Sequence, residues 1–233
     1  MALPWRAPAS ATLAALALLA AGCGSSGGGS HDDFSASVTN RWFPLRPGSV
    51  YTYRGVKDGA PSREVMTVTH RTRTIDGARS IVVKDLLYLR GKLEERTRDY
   101  YSQDPDGNVW YFGEDTAELD PNGHVKTREG TWHAGVDGAK PGIFMYAHPA
   151  VGQSARQEFL KGEAEDHFEV LRRGVAVTVP FRAFRGAMLT KEWTPLEPGV
   201  LDHKYYAAGI GTVLEQTVKG GDERNELVRF DRG

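Results

Sequence analysis

The sequence predicts an all-β fold, an antiparallel curved sheet built as a half-barrel, a barrel or a sandwich. Three observations predict it. Short segments are rich in Val and Thr; across Arg63–Ile75, Val65, Thr67, Thr69 and Arg71 alternate with Met66, Val68, His70 and Thr72. Turn residues bound those segments at close intervals, and Asp76-Gly77 is the strongest hairpin signal among them. No segment carries a long apolar repeat at the helical period of 3.6 residues.

The chain opens with a leader. Met1–Arg6 is short and holds one positive charge, Arg6, and Ala11–Ala21 is almost wholly Ala and Leu. A charged start, an apolar run and small residues make up a secretory signal. The run is about half the roughly 20 residues of a membrane-spanning helix, so it is read as cleaved. It ends in Leu19-Ala20-Ala21-Gly22-Cys23, with the only cysteine of the chain. These residues resemble the lipobox of bacterial lipoproteins, in which the cysteine becomes the lipidated N-terminus. One place departs from it: Ala20 stands where Leu is preferred, and Leu19 lies one residue further back. Residues 1–22 are therefore expected to be signal peptide, and 23–33 a lipidated Cys23 followed by a Gly/Ser tether, which behaves as flexible coil. The expected location is the outer membrane of a diderm, or the outer face of a monoderm's membrane. The expected partner is that membrane, through the lipid.

Residues 34–233 read as one β-rich domain. Asn40–Gly48 mixes proline with aromatics and is read as extended and anchored. Strands follow at Ser49–Arg54, Arg63–Ile75, Ser80–Leu89, Leu93–Gln103, Asn108–Phe112 and Val125–Trp132. Leu86–Arg96 is the best helical exception, although Gly91 interrupts it. Gly135–Gly142 is too rich in glycine to stay regular for long. Strands resume at Ser154–Phe159, Glu165–Arg172, Ala176–Phe181, Ala187–Thr194, Leu201–Ala207, Gly211–Val218 and Glu223–Phe230.

Composition excludes some functions. The formal net charge is −1 at pH 7, with acids and bases interleaved, so no basic stripe for nucleic acid exists. With Cys23 lipidated, no thiol remains for a disulfide or a zinc site. A phosphate-binding loop is absent: Gly209-Ile210-Gly211 lacks a third glycine and sits among strands. Gly152-Gln153-Ser154-Ala155-Arg156 fails the nucleophile elbow at its last place. Asp104–Gly107 fails the EF-hand pattern at both ends and reads as a turn.

Two residue sets remain as candidates. Trp110, Tyr111, Trp132, Phe144, Trp193, Tyr205 and Tyr206 form an aromatic set that can line a concavity holding a lipid, a glycan or part of an envelope protein. The same rings can equally be core. Asp137, Glu163, Asp166 and His203, with Glu192 and Glu197 nearby in sequence, supply oxygen and imidazole ligands of the kind divalent cations take from acid-rich loops. No other cofactor is expected. The leading expectation is a non-catalytic binding or structural module. A calcium-type binding protein and a carboxylate-based hydrolase are the alternatives.

Several segments carry a resemblance. Arg41–Gly48, Tyr101–Asp115 (YSQDPDGNVWYFGED), Gly135–Phe144 (GVDGAKPGIF) and Lys191–Val213 (KEWTPLEPGVLDHKYYAAGIGTV) are similar to those of a widespread group of uncharacterised bacterial exported proteins, many with lipoprotein leaders. The resemblance implies export and anchoring, and no activity. Tyr205–Val213, after Val179–Phe184, is also similar to curved antiparallel sheets of envelope proteins, including half-barrels that hold lipid or lipoprotein parts.

Overall fold

A computed structural model describes residues 33–233. Cys23, the leader and most of the tether lie outside the described residues. The elements are all strands: β1 (Val50–Lys57), β2 (Ala60–Ile75), β3 (Ala78–Leu89), β4 (Lys92–Gln103) and β5 (Val109–Leu119) come first. Five short ones follow: β6 (Val125–Thr127), β7 (Trp132–His133), β8 (Lys140–Met145), β9 (Ser154–Arg156) and β10 (Glu158–Phe159). The chain ends with β11 (His167–Val179), β12 (Arg182–Trp193), β13 (Leu201–Ala207), β14 (Gly211–Lys219) and β15 (Arg224–Asp231).

All fifteen strands join one antiparallel sheet, in the order β10-β8-β5-β4-β3-β2-β1-β15-β14-β13-β12-β11-β9, with β6 and β7 also on β5. The fold is thus two meanders that meet where the last strand lies against the first. Tyr51 faces Phe230 across that join, and their rings stack at 4.7 Å. Tight hairpins set the register. Asp58-Gly59, Asp76-Gly77 and Arg90-Gly91 each place two consecutive residues at positive φ, between 47° and 81°. That backbone matches the right-handed twist of the flanking strands. Bulges then bend the ladder, as between Val68 and Thr72 in β2 and around Gly174 in β11.

The sheet curls like a sandwich and is not closed into a barrel. Its two edges are nevertheless bridged. β9 pairs with β11 at one edge and β10 pairs with β8 at the other, with only Gln157 between them. Gly142 in β8 lies against this bridge: a Cβ there would sit 2.3 Å from the Arg156 carbonyl oxygen. Only glycine admits that approach.

Two sequence expectations need correcting. Leu86–Arg96 is not helical; it is the β3–β4 hairpin, because Arg90-Gly91 supplies its turn. Gly135–Gly142 is turn and bend through Gly138, and β8 begins at Lys140, held by β5 on one side and β10 on the other. The predicted break between Arg172 and Ala176 is instead a bulge inside one continuous strand.

The enclosed face carries the core, including Val68, Val83, Tyr101, Phe112, Phe168, Met188, Val213 and Leu227. The Asn40–Gly48 segment tucks against it as expected. Asn40 Nδ2 donates to the carbonyls of Gly107 and Tyr146, and its Oδ1 accepts from the Trp42 and Phe43 amides. Phe43 then packs on Tyr101 at 5.3 Å and Phe144 at 4.5 Å.

A candidate binding cavity lined by buried acids

Strand alternation puts every second residue on the enclosed face. On most strands one of those inward residues is polar. Glu64 on β2 shares its face with Met66 and Val68; Asp85 on β3 lies between Val83 and Leu87; Asp99 on β4 precedes Tyr101 by two. Glu192, Lys204, Glu215 and Asn225 supply the same level from β12 to β15. The result is a polar belt around the inside of the curl. Glu64, Asp85, Asp99, Lys204, Glu215 and Asn225 line a partly open cavity of about 50 Å³, with Phe43, Tyr53, Tyr101 and Phe144.

The belt is hydrogen-bonded in part. Asn225 Nδ2 donates to Glu64 Oε2 at 2.6 Å, and Tyr111 donates to Asp99 Oδ1 at 2.7 Å. Lys204 Nζ sits 2.8 Å from Glu192 Oε2 and 3.2 Å from Glu215 Oε1. Tyr206 and Thr190 both donate to Glu192 Oε1. Among the described residues lining the cavity, Lys204 is the one cation. Burial works against its charge, yet Glu192 and Glu215 outweigh burial and hold the ammonium well above the usual lysine range.

The acids outnumber that cation, and burial shows in their proton affinity. Glu64 is pushed well above the usual carboxylate range by burial first and by Asp85 second. Asp85 is raised by burial as well, and the two carboxyls share a hydrogen bond. Two carboxyls in contact cannot both ionise cheaply, so one proton serves the pair. The row continues toward the bridged edges. Glu114 stands directly opposite Asp99 in the ladder, and Glu158 takes a hydrogen bond from Trp132 Nε1 at 3.0 Å. Burial raises both strongly. Asp85 Oδ1, Glu114 Oε2 and Glu158 Oε1 are buried oxygens with no hydrogen-bond partner.

The sequence candidates are distributed around this site. Tyr111, Trp132, Phe144 and Tyr206 are buried and pack inside; Tyr111 meets Trp132 edge to face at 5.4 Å. Trp110, Trp193 and Tyr205 are half-buried. Trp110 donates to Asp104 Oδ2, and Trp193 stacks on His167 at 5.4 Å. Of the acids, Asp166 joins the belt beside Lys204 and Glu192, and burial raises it to about 6. Asp137 and Glu163 stay on exposed turns, and His203 is half-buried on β13, lowered by burial and by Arg172. Among the described residues, no group of three or more His, Cys, Asp or Glu side chains is arranged to hold a metal ion.

The sequence reading missed Glu64, Asp85, Asp99 and Lys204. Their signal was phase: each is a charge standing where the alternation calls for an apolar residue. It also missed an outer cluster. Asp115 accepts from Tyr100 at 2.5 Å and Arg73 at 2.9 Å, and lies 3.0 Å from His133 Nε2. Burial opposes its charge, but the Tyr100 hydrogen bond and the His133 and Arg73 charges together keep its carboxyl below the usual range.

Comparison with known proteins adds little. No family model matches the chain, and no curated protein matches it. Among solved structures, a candidate lipoprotein from Parabacteroides distasonis is similar, with 10% identity, 82% of this chain and 99% of that chain covered, and a TM-score of 0.44. That likeness is too distant to carry a function across, and no family model or curated relative stands behind the segment resemblance.

Proposed function

We propose that the protein is a lipid-anchored, non-catalytic binding protein of a bacterial cell envelope. Cys23 holds it to the membrane, the Gly/Ser tract spaces it, and the curled sheet carries the ligand. The observation that carries the anchoring is the leader: an apolar run ending in Leu19-Ala20-Ala21-Gly22-Cys23, followed at once by Gly24–Ser30. A Gly/Ser-rich composition directly after a lipidated residue suits a spacer between the bilayer and a domain. The observation that supports binding is the half-paired polar belt. Natural interiors leave few buried polar atoms without partners, so Asp85 Oδ1, an unpartnered buried oxygen on a residue that lines the cavity, supports a ligand that completes it.

The cavity favours a small ligand. Its volume of about 50 Å³ corresponds to about four water molecules, which is room for a polar head group and not for an acyl chain.

Metabolic labelling tests the anchor. Cells given a fatty-acid probe are expected to label the wild-type chain, and Cys23→Ala is expected to lose the label and to leave the membrane fraction. Equal labelling of both would remove the anchor from this account.

A further inference from the structure

We propose that the cavity binds a small organic cation by its ammonium or guanidinium head. This rests on the binding reading above and names the chemistry of its ligand.

Three features of the cavity select that chemistry. The first is an open acceptor. Asp85 is 8% exposed, lines the cavity, and its Oδ1 takes no hydrogen bond. A buried carboxylate oxygen without a donor is costly, and a cationic donor makes the strongest hydrogen bond to it. Glu64 and Asp99 flank it from the neighbouring strands, so further carboxyl groups surround that acceptor. The second feature is the wall. Phe43, Tyr101 and Phe144 line the same cavity and pack on one another, with centroids 4.5 to 5.3 Å apart. Aromatic faces attract cations, and they do so best where water is displaced. The third is spacing. Glu64, Asp85 and Asp99 come from three adjacent strands, and strands lie about 4.8 Å apart. Oxygens spread along that row suit an ammonium or guanidinium, whose several N–H groups reach separate acceptors. Among the described residues, no group of three or more His, Cys, Asp or Glu side chains is arranged to hold a metal ion instead.

Lys204 fits the same picture. Its ammonium already occupies the Glu192 and Glu215 side of the belt, at 2.8 and 3.2 Å. The Glu64 and Asp85 side has no lysine or arginine among the described lining residues. A ligand cation would complete there what Lys204 completes opposite. The partly open mouth lets the remainder of the ligand extend outward.

The test uses the full chain purified in detergent, with putrescine, spermidine and arginine amide as probes. Sodium chloride at matched ionic strength, calcium chloride and glucose serve as comparisons. Calorimetry is expected to show saturable binding of at least one amine, with a rise in melting temperature that sodium chloride does not reproduce. Asp85→Asn keeps the side-chain shape. It is expected to melt no lower than the wild type without amine, and to bind the amine at least tenfold more weakly. Glu163→Gln, on an exposed turn, is expected to bind as the wild type does. Equal amine affinity in wild type and Asp85→Asn would overturn the proposal. So would binding of glucose or calcium alone, which would leave the binding reading standing with a different ligand. Failure of every probe would overturn the cation assignment and remove the main support for a binding cavity here, while the anchoring result at Cys23 would be unaffected.

Discussion

Replacing Lys204 by methionine is expected to cost about 3–5 kcal/mol of folding free energy, the range for breaking a buried ion pair from one side. The side chains of Lys204 and Glu192 are each 5% exposed, so water cannot take over the lost contact. The variant would leave Glu192 and Glu215 without their ammonium in a region already crowded with acids. Methionine matches the stem of lysine, so lost packing contributes little. Adding Glu192→Gln to Lys204→Met is expected to recover part of the loss, because it removes the stranded charge. Denaturant unfolding of the single and double variants checks this. A loss below about 1 kcal/mol for Lys204→Met would mean that the pair contributes no more than an exposed salt bridge.

The second large effect is on pH. Most domains lose stability as acid protonates their paired carboxylates. Here the belt works the other way. Burial raises Asp166 from 3.8 to about 6 and Glu64, Glu114 and Glu158 well above their usual range, and outside the belt it raises Glu223, just before β15 and 3.8 Å from Lys57, from 4.5 to about 7. Each of these groups keeps its proton to a higher pH in the folded chain than in the unfolded one. Between the two values the folded chain binds more protons, so stability falls as pH rises. The contribution is complete below the unfolded value, near pH 4, and is lost as pH climbs through the folded values. For Asp166 alone the shift corresponds to about 3 kcal/mol. Asp115 has the opposite sign: its lowered carboxyl contributes above its ordinary value and is lost as pH falls further. Stability is therefore expected to be greater near pH 5 than near pH 8, and to decline again in stronger acid. Denaturant midpoints across pH 3–9 check this; a midpoint that rises steadily from pH 5 to 8 would count against the buried belt.

What the sequence made legible was local. A hairpin needing two positive φ values writes itself as Asp76-Gly77, because the demand is met inside two residues. Strand identity followed from alternation for the same reason. What escaped depended on distant partners. β8 reads as a Gly/Pro loop, yet two neighbouring strands hold its backbone extended, and Gly142 is there so that the bridge can approach. Gly174 reads as a break and is a bulge within β11. The site escaped for a related reason. Acids were sought in loops, where Asp137 and Glu163 do lie exposed. Those of the belt come singly, about one to a strand, and only the curl of the sheet gathers them. Asp166 was found because it stands just before β11, where loop and belt meet.

Glu64 and Asp85 form a buried carboxyl pair lining the cavity. Carboxyl NMR titration of the labelled protein measures that pairing, with a short unstructured glutamate peptide as external reference. Glu64 and Asp85 are expected to titrate together, above the usual carboxylate range and above the peptide. Both carboxyls titrating with the peptide would overturn the buried pair and the cavity built on it.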